Sequence, residues 1–269
     1  MSVARSAIDR AVQHPDSKVP ILEWWRGIYD YVYVALHPFF RIRKPTTSNA
    51  RPNGNSYEPL VWFADRPEDF GDLTKRRGEA VAWQTVHLAS APTTEQEEAY
   101  YAIWLLKVGD IYGRANKELR AKIDAYCEAE TLYFPDEDGM APIMEATVGR
   151  FLSCFGDGPI TAWDETRDNS TVLSLSHLAA DRPATYLPKA FTSNSVWGLH
   201  LPGQGVLLTW AFEDTHALIA LTASARSQGR PEELFEGWYV GEAAYAHLFA
   251  PGSFTSRSSE YFVPSSLAR

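Results

Sequence analysis

The clearest pattern of apolar and polar positions lies between Ser195 and Ala223. Three runs rich in Val, Leu, Ile and Trp are separated by short segments of Gly, Pro and Asp; they are Val196–Leu201, Val206–Phe212 and His216–Ala223. Such runs predict three antiparallel strands joined by two tight turns. Because both faces of the middle run are largely apolar, we expect that strand to be covered on each side.

Helical spacing dominates the chain before Gly156. Apolar residues repeat at three and four positions over Ser2–Gln13 and again from Ile21 to about Tyr31, which predicts two helices. Residues 31–36 and 80–88 fit either a helix or a strand, while the polar stretch 45–56 predicts a long loop.

A capping box at Thr94–Glu97 begins a helix pair that extends to about Glu130. Pro142 occupies the first turn of a further helix, and Gly156 is placed to end it.

Strand patterns dominate after Gly156. Ile160–Trp163 and Thr171–Leu178 predict strands, while short helices are expected near Pro231 and over Glu242–Phe249. This segregation predicts an α+β fold, in which a helix-rich N-terminal half packs with a mostly antiparallel sheet built from the C-terminal half. We expect one domain over residues 1–269, with residues 1–156 and 157–269 as an alternative subdivision.

Composition and charge exclude several classes of protein. The net charge of −9 opposes binding to nucleic acid, which requires a basic face. No run of about eighteen apolar residues occurs, so no membrane span is expected. The N-terminus lacks the apolar region of a secretory signal, so we expect a cytoplasmic protein. Cys127 and Cys154 cannot form a disulfide framework and are read as free thiols.

The sequence contains none of the motifs that mark nucleotide binding, α/β-hydrolase chemistry or a zinc cluster. The densest polar group is the turn Glu213–His216, in which Glu213, Asp214 and His216 are candidates for acid–base catalysis. A plain hairpin turn is the favoured interpretation. If Leu201 pairs with Val206 and Phe212 with His216, His200 lies opposite Leu207. It is then on the order of 16 Å from His216, which excludes a shared metal. We therefore expect no metal and no cofactor.

Aromatic residues form 13% of the chain, which is high for a core of this size. Trp238 and Tyr239 are candidates for a binding groove or a partner surface. The alternative, a lid over the sheet, is favoured.

Three stretches, IDAYCEAETLYFPDED, LTWAFEDTHALIALT and LFEGWYVGEAAYAHLF, resemble an uncharacterised bacterial family, a domain of unknown function. The resemblance covers most of the chain after about Tyr31. It implies a bacterial cytosolic setting and brings no activity, cofactor or catalytic residue to these positions.

The acidic balance, the aromatic excess and the missing motifs favour a protein that acts by binding. We expect a cytosolic, immunity- or antitoxin-like module that binds a basic protein partner without catalysis. The alternative is a small-molecule hydrolase with its site near the Glu213–His216 turn. The sequence does not decide whether the protein is an enzyme, although the missing catalytic motifs favour a protein without enzymatic activity.

Overall fold

The computed structural model describes residues 10–45, 57–60, 66–108, 116–248 and 257–267. Within these ranges ten strands form an eight-stranded sheet and a two-stranded sheet, and every paired strand is antiparallel. The strands are β1 Tyr31–Leu36, β2 Phe39–Ile42, β3 Gly78–Val81, β4 Ile160–Trp163, β5 Ser170–Leu173, β6 Gly198–Leu201, β7 Val206–Thr209, β8 His216–Leu221, β9 Gly237–Val240 and β10 Arg257–Phe262.

Seven α-helices surround these sheets in the same ranges. They are α1 Ile21–Trp24, α2 Phe70–Arg77, α3 Trp83–Ser90, α4 Gln96–Val108, α5 Lys117–Ala129, α6 Glu145–Ser153 and α7 Ala223–Gln228. Three short 3₁₀ helices are Pro142–Met144, Leu175–Leu178 and Pro231–Glu233. None of the described helices is long and apolar enough to cross a bilayer.

The large sheet has the order β10-β9-β1-β8-β7-β6-β4-β5. Strand β1 therefore lies between two strands from the C-terminal part of the chain, and its residues alternate between two cores. Val32 and Val34 join the core beneath α3, α4 and α5, whereas Tyr33 and Ala35 join the core beneath α6. The α+β class is confirmed, but β1 shows that the sheet is not built from the C-terminal half alone.

The predicted meander β6–β7–β8 is confirmed. Leu201 pairs with Val206 and His200 with Leu207, as the turn chemistry indicates, and both faces of β7 are buried. The middle strand ends at Thr209, however, and does not extend to Phe212. The side chain of Phe212 is 65% exposed, because the chain has already left the sheet to enter the turn.

The predicted helix pair is confirmed as α4 and α5, with Asn116 capping α5 by accepting a hydrogen bond from the Leu119 N–H at 3.1 Å. The helix expected over residues 21–31 ends at Trp24. Gly27 follows with φ +77°, a left-handed conformation that favours glycine. Residues 31–36, which fit either type of element, form β1.

Residues 80–88 contain both elements, since β3 ends at Val81 and α3 begins at Trp83. The strand expected over Thr171–Leu178 is wrong after Leu173, where Ser174 caps a 3₁₀ helix. Residues 242–248 are not helical. Most of the helix expected over Ser2–Gln13 and of the loop expected over 45–56 lies outside the described residues.

Candidate functional site

The Glu213–His216 turn lies at one end of the large sheet, between β7 and β8. His216 opens β8 and pairs with Leu36 at the end of β1. Glu213 adopts φ +63°, the left-handed conformation that allows the chain to reverse. The turn is therefore held in place by the two central strands β1 and β8, which supports a fixed geometry for Asp214 and His216.

A second acidic turn, residues 135–139, packs against the first. The Glu213 N–H donates to Asp138 Oδ1 at 2.6 Å, and the Asp138 N–H donates to the Asp214 carbonyl at 3.3 Å. Gly139 has φ +83°, and a Cβ there would lie 2.9 Å from the Val196 carbonyl, so glycine is required. The fold thus joins two acidic turns that are about 75 residues apart in the sequence.

Asp214 lies between two histidines, and we call these three residues the histidine–aspartate cluster. Its Oδ2 atom is 3.6 Å from His216 Nε2 and 3.8 Å from His14 Nε2, and both distances exceed a hydrogen bond. Within the described residues, no hydrogen bond satisfies Asp214 Oδ2, Thr215 Oγ1 or either ring nitrogen of His14. Buried polar atoms are normally paired, so this cluster is an exception that requires an explanation.

Burial determines the protonation states in this cluster. It raises the pKa of Asp214 well above its usual value, and the nearby charges of Asp138 and Glu213 raise it further. It lowers the pKa of His14 to about 3, with smaller contributions from Arg167 and His247. It also lowers the pKa of His216 well below its usual value, again by desolvation. At neutral pH the two imidazoles are therefore uncharged, and ionisation of the carboxyl group is strongly opposed.

A third histidine near the cluster is fully hydrogen-bonded. His37 Nδ1 donates to the Asp136 carbonyl at 2.6 Å, and its Nε2 accepts from Trp210 Nε1 at 2.8 Å. Burial lowers the pKa of His37 to about 4. Both ring nitrogens are occupied in the neutral form, so His37 fixes the end of β1 to the acidic turn and to β7.

The cluster offers acid–base groups. A carboxyl group with a raised pKa beside neutral imidazoles can take part in proton transfer. In the part of the chain that the structure describes, no group of three or more His, Cys, Asp or Glu side chains, this one included, is arranged to hold a metal ion.

The structure places Trp238 and Tyr239 apart from this cluster, in β9 between β1 and β10. The Trp238 ring is 1% exposed and stacks on Tyr261 at a centroid distance of 6.0 Å. The Tyr239 ring is half-buried, and its hydroxyl donates to Glu232 Oε2 at 2.7 Å. A partner cannot reach the Trp238 ring in this conformation, so its position favours the lid interpretation over that of a surface anchor.

Sequence reasoning missed the most buried carboxylate of the same segment. Glu236 accepts hydrogen bonds from the Trp83 N–H at 2.7 Å and the Gln84 N–H at 2.9 Å, at the start of α3. The hydroxyl groups of Tyr100 and Tyr261 also donate to it. Burial raises its pKa, and these four donors oppose that shift. It fixes α3 to β9, and no spacing in the sequence indicates this role.

A cleft of about 730 Å³ opens beside the acidic turn, and we call it the acidic cleft. Its walls come from the ends of α4 and α5 and from residues 131–134 and 137. Three carboxylates line it, and its apolar surface includes Leu106, Leu132 and Phe134; the carboxylates are Asp124, Glu128 and Glu137. The sequence signal for this surface was the acidic balance, which does not reveal where the carboxylates gather.

The sequence model of one protein family, described as a protein of unknown function (DUF2711), matches residues 17–242 of this chain. Because the match covers more than half of the 269 residues, the chain belongs to this family. The predicted resemblance to a domain of unknown function is thereby confirmed. Searches of curated proteins and of solved structures found no match.

Proposed function

We propose that this member of a family of unknown function binds a basic protein partner through the acidic cleft and acts without catalysis. We further propose that it works in the bacterial cytoplasm, like an immunity or antitoxin protein that neutralises a toxin. The analogy with immunity proteins rests on the acidic composition and on the acidic cleft, and on no similarity of sequence. The observation that carries the proposal is the placement of Asp124 and Glu128.

Asp124 and Glu128 lie one turn apart on α5, close to its C-terminus. Like charges at this spacing destabilise a helix, and acidic groups near a helix C-terminus are also unfavourable. Both side chains are exposed, and neither forms an ion pair with another described residue. The chain thus carries an electrostatic cost that a cation from outside would relieve.

The basic residues of the cleft are already engaged. Lys107 Nζ lies 3.6 Å from Glu137 Oε1, and Arg66 Nη1 lies 3.4 Å from Asp136 Oδ1. The guanidinium of Arg66 also stacks over the ring of Phe70. These pairs leave Asp124 and Glu128 as the carboxylates available to a partner.

The apolar part of the cleft suits a lysine or arginine side chain. Such side chains lay an apolar stem along apolar surface while the charged head reaches a polar rim. Leu106 and Phe134 provide that surface in the same cleft as the carboxylates. A partner that inserts an arginine would therefore bury its stem and pair its head.

Low-salt capture from an extract of the native host tests the proposal. The wild-type protein should retain a basic protein that elutes as salt rises, because salt screens exposed charges. The double variant Asp124→Asn/Glu128→Gln should capture much less of this protein than the wild type does. The control Glu95→Gln/Glu118→Gln removes the same charge from exposed positions outside the cleft and should retain the partner. Equal capture by all three proteins, or no capture by the wild type, would contradict the proposal.

A second candidate function, a small-molecule hydrolase, is favoured by the histidine–aspartate cluster. Groups whose pKa values are shifted by burial gather at catalytic sites. Asp214→Asn keeps the shape of the side chain and removes its acid–base chemistry. Turnover of a substrate that this variant abolishes would support the hydrolase, whereas loss of capture in the cleft variant alone would support binding.

A further inference from the structure

A second cleft, of about 610 Å³, lies between β5, the 3₁₀ helix Leu175–Leu178 and residues 182–188. Its described lining contains no Asp or Glu, although the chain carries a net charge of −9. Arg182 and His177 line it together with hydroxyl groups, among them that of Ser176. Whereas three carboxylates line the acidic cleft, this second cleft is lined by a cationic side chain and by hydrogen-bond donors.

Arg182 supplies the charge. It is exposed, and its guanidinium makes no ion pair or hydrogen bond with any residue that the structure describes. An arginine has five N–H donors in a planar fork that matches the oxygens of a phosphate or a carboxylate. These donors are therefore available to an anion in the cleft.

His177 presents a fixed donor. Its Nδ1 accepts from the Ser174 backbone N–H at 3.1 Å, and a backbone amide can only donate. Nδ1 also lies 3.3 Å from the Ser174 carbonyl oxygen, a contact that would need a proton on Nδ1, but the shorter bond from the amide favours the neutral tautomer with its proton on Nε2. The capping of the 3₁₀ helix by Ser174 thus favours the tautomer that an anion requires.

A buried ion pair holds the wall of this cleft. Lys75 Nζ donates to Glu145 Oε2 at 2.6 Å and also to the carbonyls of His177 and Pro183, at 2.8 and 2.9 Å. Glu145 Oε1 in turn accepts from the Thr185 N–H at 2.8 Å. Burying such a pair adds little stability by itself. Its contacts fix the segment between His177 and Thr185, which positions the donors before a ligand arrives.

Two exposed apolar side chains complete the cleft. Val172 is 66% exposed on the edge strand β5, and Tyr186 is 51% exposed. Both line the same space as Arg182. A ligand with an apolar body could cover them while its anionic group meets the donors.

We propose that this cleft binds a small organic anion, a phosphate monoester or a carboxylate attached to an apolar ring. Arg182 and the Nε2–H of His177 hold the anionic group, and Val172 and Tyr186 contact the ring. The proposal does not depend on the partner proposed for the acidic cleft, because the two surfaces share no residue.

Calorimetric titration with phenyl phosphate, benzoate and inorganic phosphate tests this site. Phenyl phosphate should bind more tightly than inorganic phosphate, and its comparison with benzoate identifies the preferred anionic group. Arg182→Gln should weaken the binding of phenyl phosphate by about tenfold or more, since hydrogen bonds between charged groups are stronger than those between neutral groups. Arg76→Gln, an equal charge change at an exposed arginine outside the cleft, should not alter binding.

Val172→Ser separates the two parts of the site. This variant should bind phenyl phosphate more weakly and bind inorganic phosphate with unchanged affinity, because Val172 contacts only the ring of the ligand. Arg182 and Val172 are both exposed, so unchanged melting temperatures should accompany these results. The proposal is overturned if neither organic anion binds, or if Arg182→Gln and Arg76→Gln reduce binding equally.

Discussion

The acidic cleft and the histidine–aspartate cluster both contain carboxylates, but those of the cleft are exposed to solvent whereas that of the cluster is largely buried. Asp124 and Glu128 are exposed on α5 and carry their charge into solvent. The Asp214 side chain is largely buried between His14 and His216, and burial raises its pKa. The comparison shows that the net charge of the sequence overstates the charge that a partner meets, because burial opposes the ionisation of Asp214 and largely shields its carboxyl group from solvent.

The same contrast separates two kinds of chemistry. Exposed charges attract a charged partner over several ångströms and are screened by salt. A buried group with a shifted pKa links the fold to the proton concentration instead. Experiments that vary salt therefore report on the acidic cleft, and experiments that vary pH report on the cluster.

The largest expected effect is a loss of stability in acid. Unfolded histidines have a pKa near 6.5, whereas His14 and His37 have pKa values of about 3 and about 4 in the fold. Below pH 6.5 the unfolded chain consequently binds more protons, and the free energy of unfolding falls as pH falls. Between its folded and unfolded pKa values each histidine should contribute a slope that approaches about 1.4 kcal/mol per pH unit, which urea denaturation between about pH 4 and about pH 6 measures.

The variant His14→Gln isolates one of these contributions. It should reduce the slope by about 1.4 kcal/mol per pH unit, because one buried ring no longer excludes a proton. Asp214 acts in the opposite direction, since its raised pKa makes the fold bind more protons than the unfolded chain above about pH 4. An unchanged slope in His14→Gln would show that this ring is protonated in the fold.

A smaller effect is expected from Asp214→Asn. Between the unfolded and folded pKa values of Asp214, the wild-type fold loses stability as pH rises, and asparagine removes that loss. The variant should gain on the order of 1 kcal/mol at neutral pH, and the gain should vanish in acid. Denaturation at two pH values measures it. A loss of stability at neutral pH would mean that Asp214 is charged and paired.

The smallest expected effect on stability concerns the acidic cleft. Asp124→Asn/Glu128→Gln removes a like-charged pair near the end of α5 and should stabilise the protein by about 0.2–0.5 kcal/mol. High salt should abolish the gain, because it screens the repulsion. Thermal denaturation at low and high salt measures both. Destabilisation of more than this amount would show that the two side chains have partners within the fold.

The sequence predicted those elements whose information is local. Periodicity and turn residues indicated β6, β7 and β8 and the register of β6 with β7, and a capping box with its apolar stripe indicated α4 and α5. The expected pairing of Phe212 with His216 is wrong, because Val206 pairs with Leu221 and β7 ends at Thr209. The central position of β1 was missed because a strand covered on both faces is apolar throughout, so its place in the sheet depends on distant partners.

The candidate site was predictable only in part, for the same reason. Asp214 and His216 are neighbours and attracted attention as a polar turn. His14 is 200 residues away from Asp214 in the chain, and no spacing relates them. The contact of Asp138 with Glu213 likewise arises from the packing of two turns. A pattern within one segment cannot reveal groups that only the tertiary fold brings together.

The most direct test is the rate of association with the captured partner, measured at several salt concentrations for the wild type, Asp124→Asn/Glu128→Gln and Asp214→Asn. We expect the wild type and Asp214→Asn to associate equally fast and to slow steeply as salt rises, because exposed charges govern encounter. The cleft variant should associate more slowly and depend less on salt. If Asp214→Asn loses the partner while the cleft variant behaves like the wild type, the function lies in the histidine–aspartate cluster and the binding account is wrong.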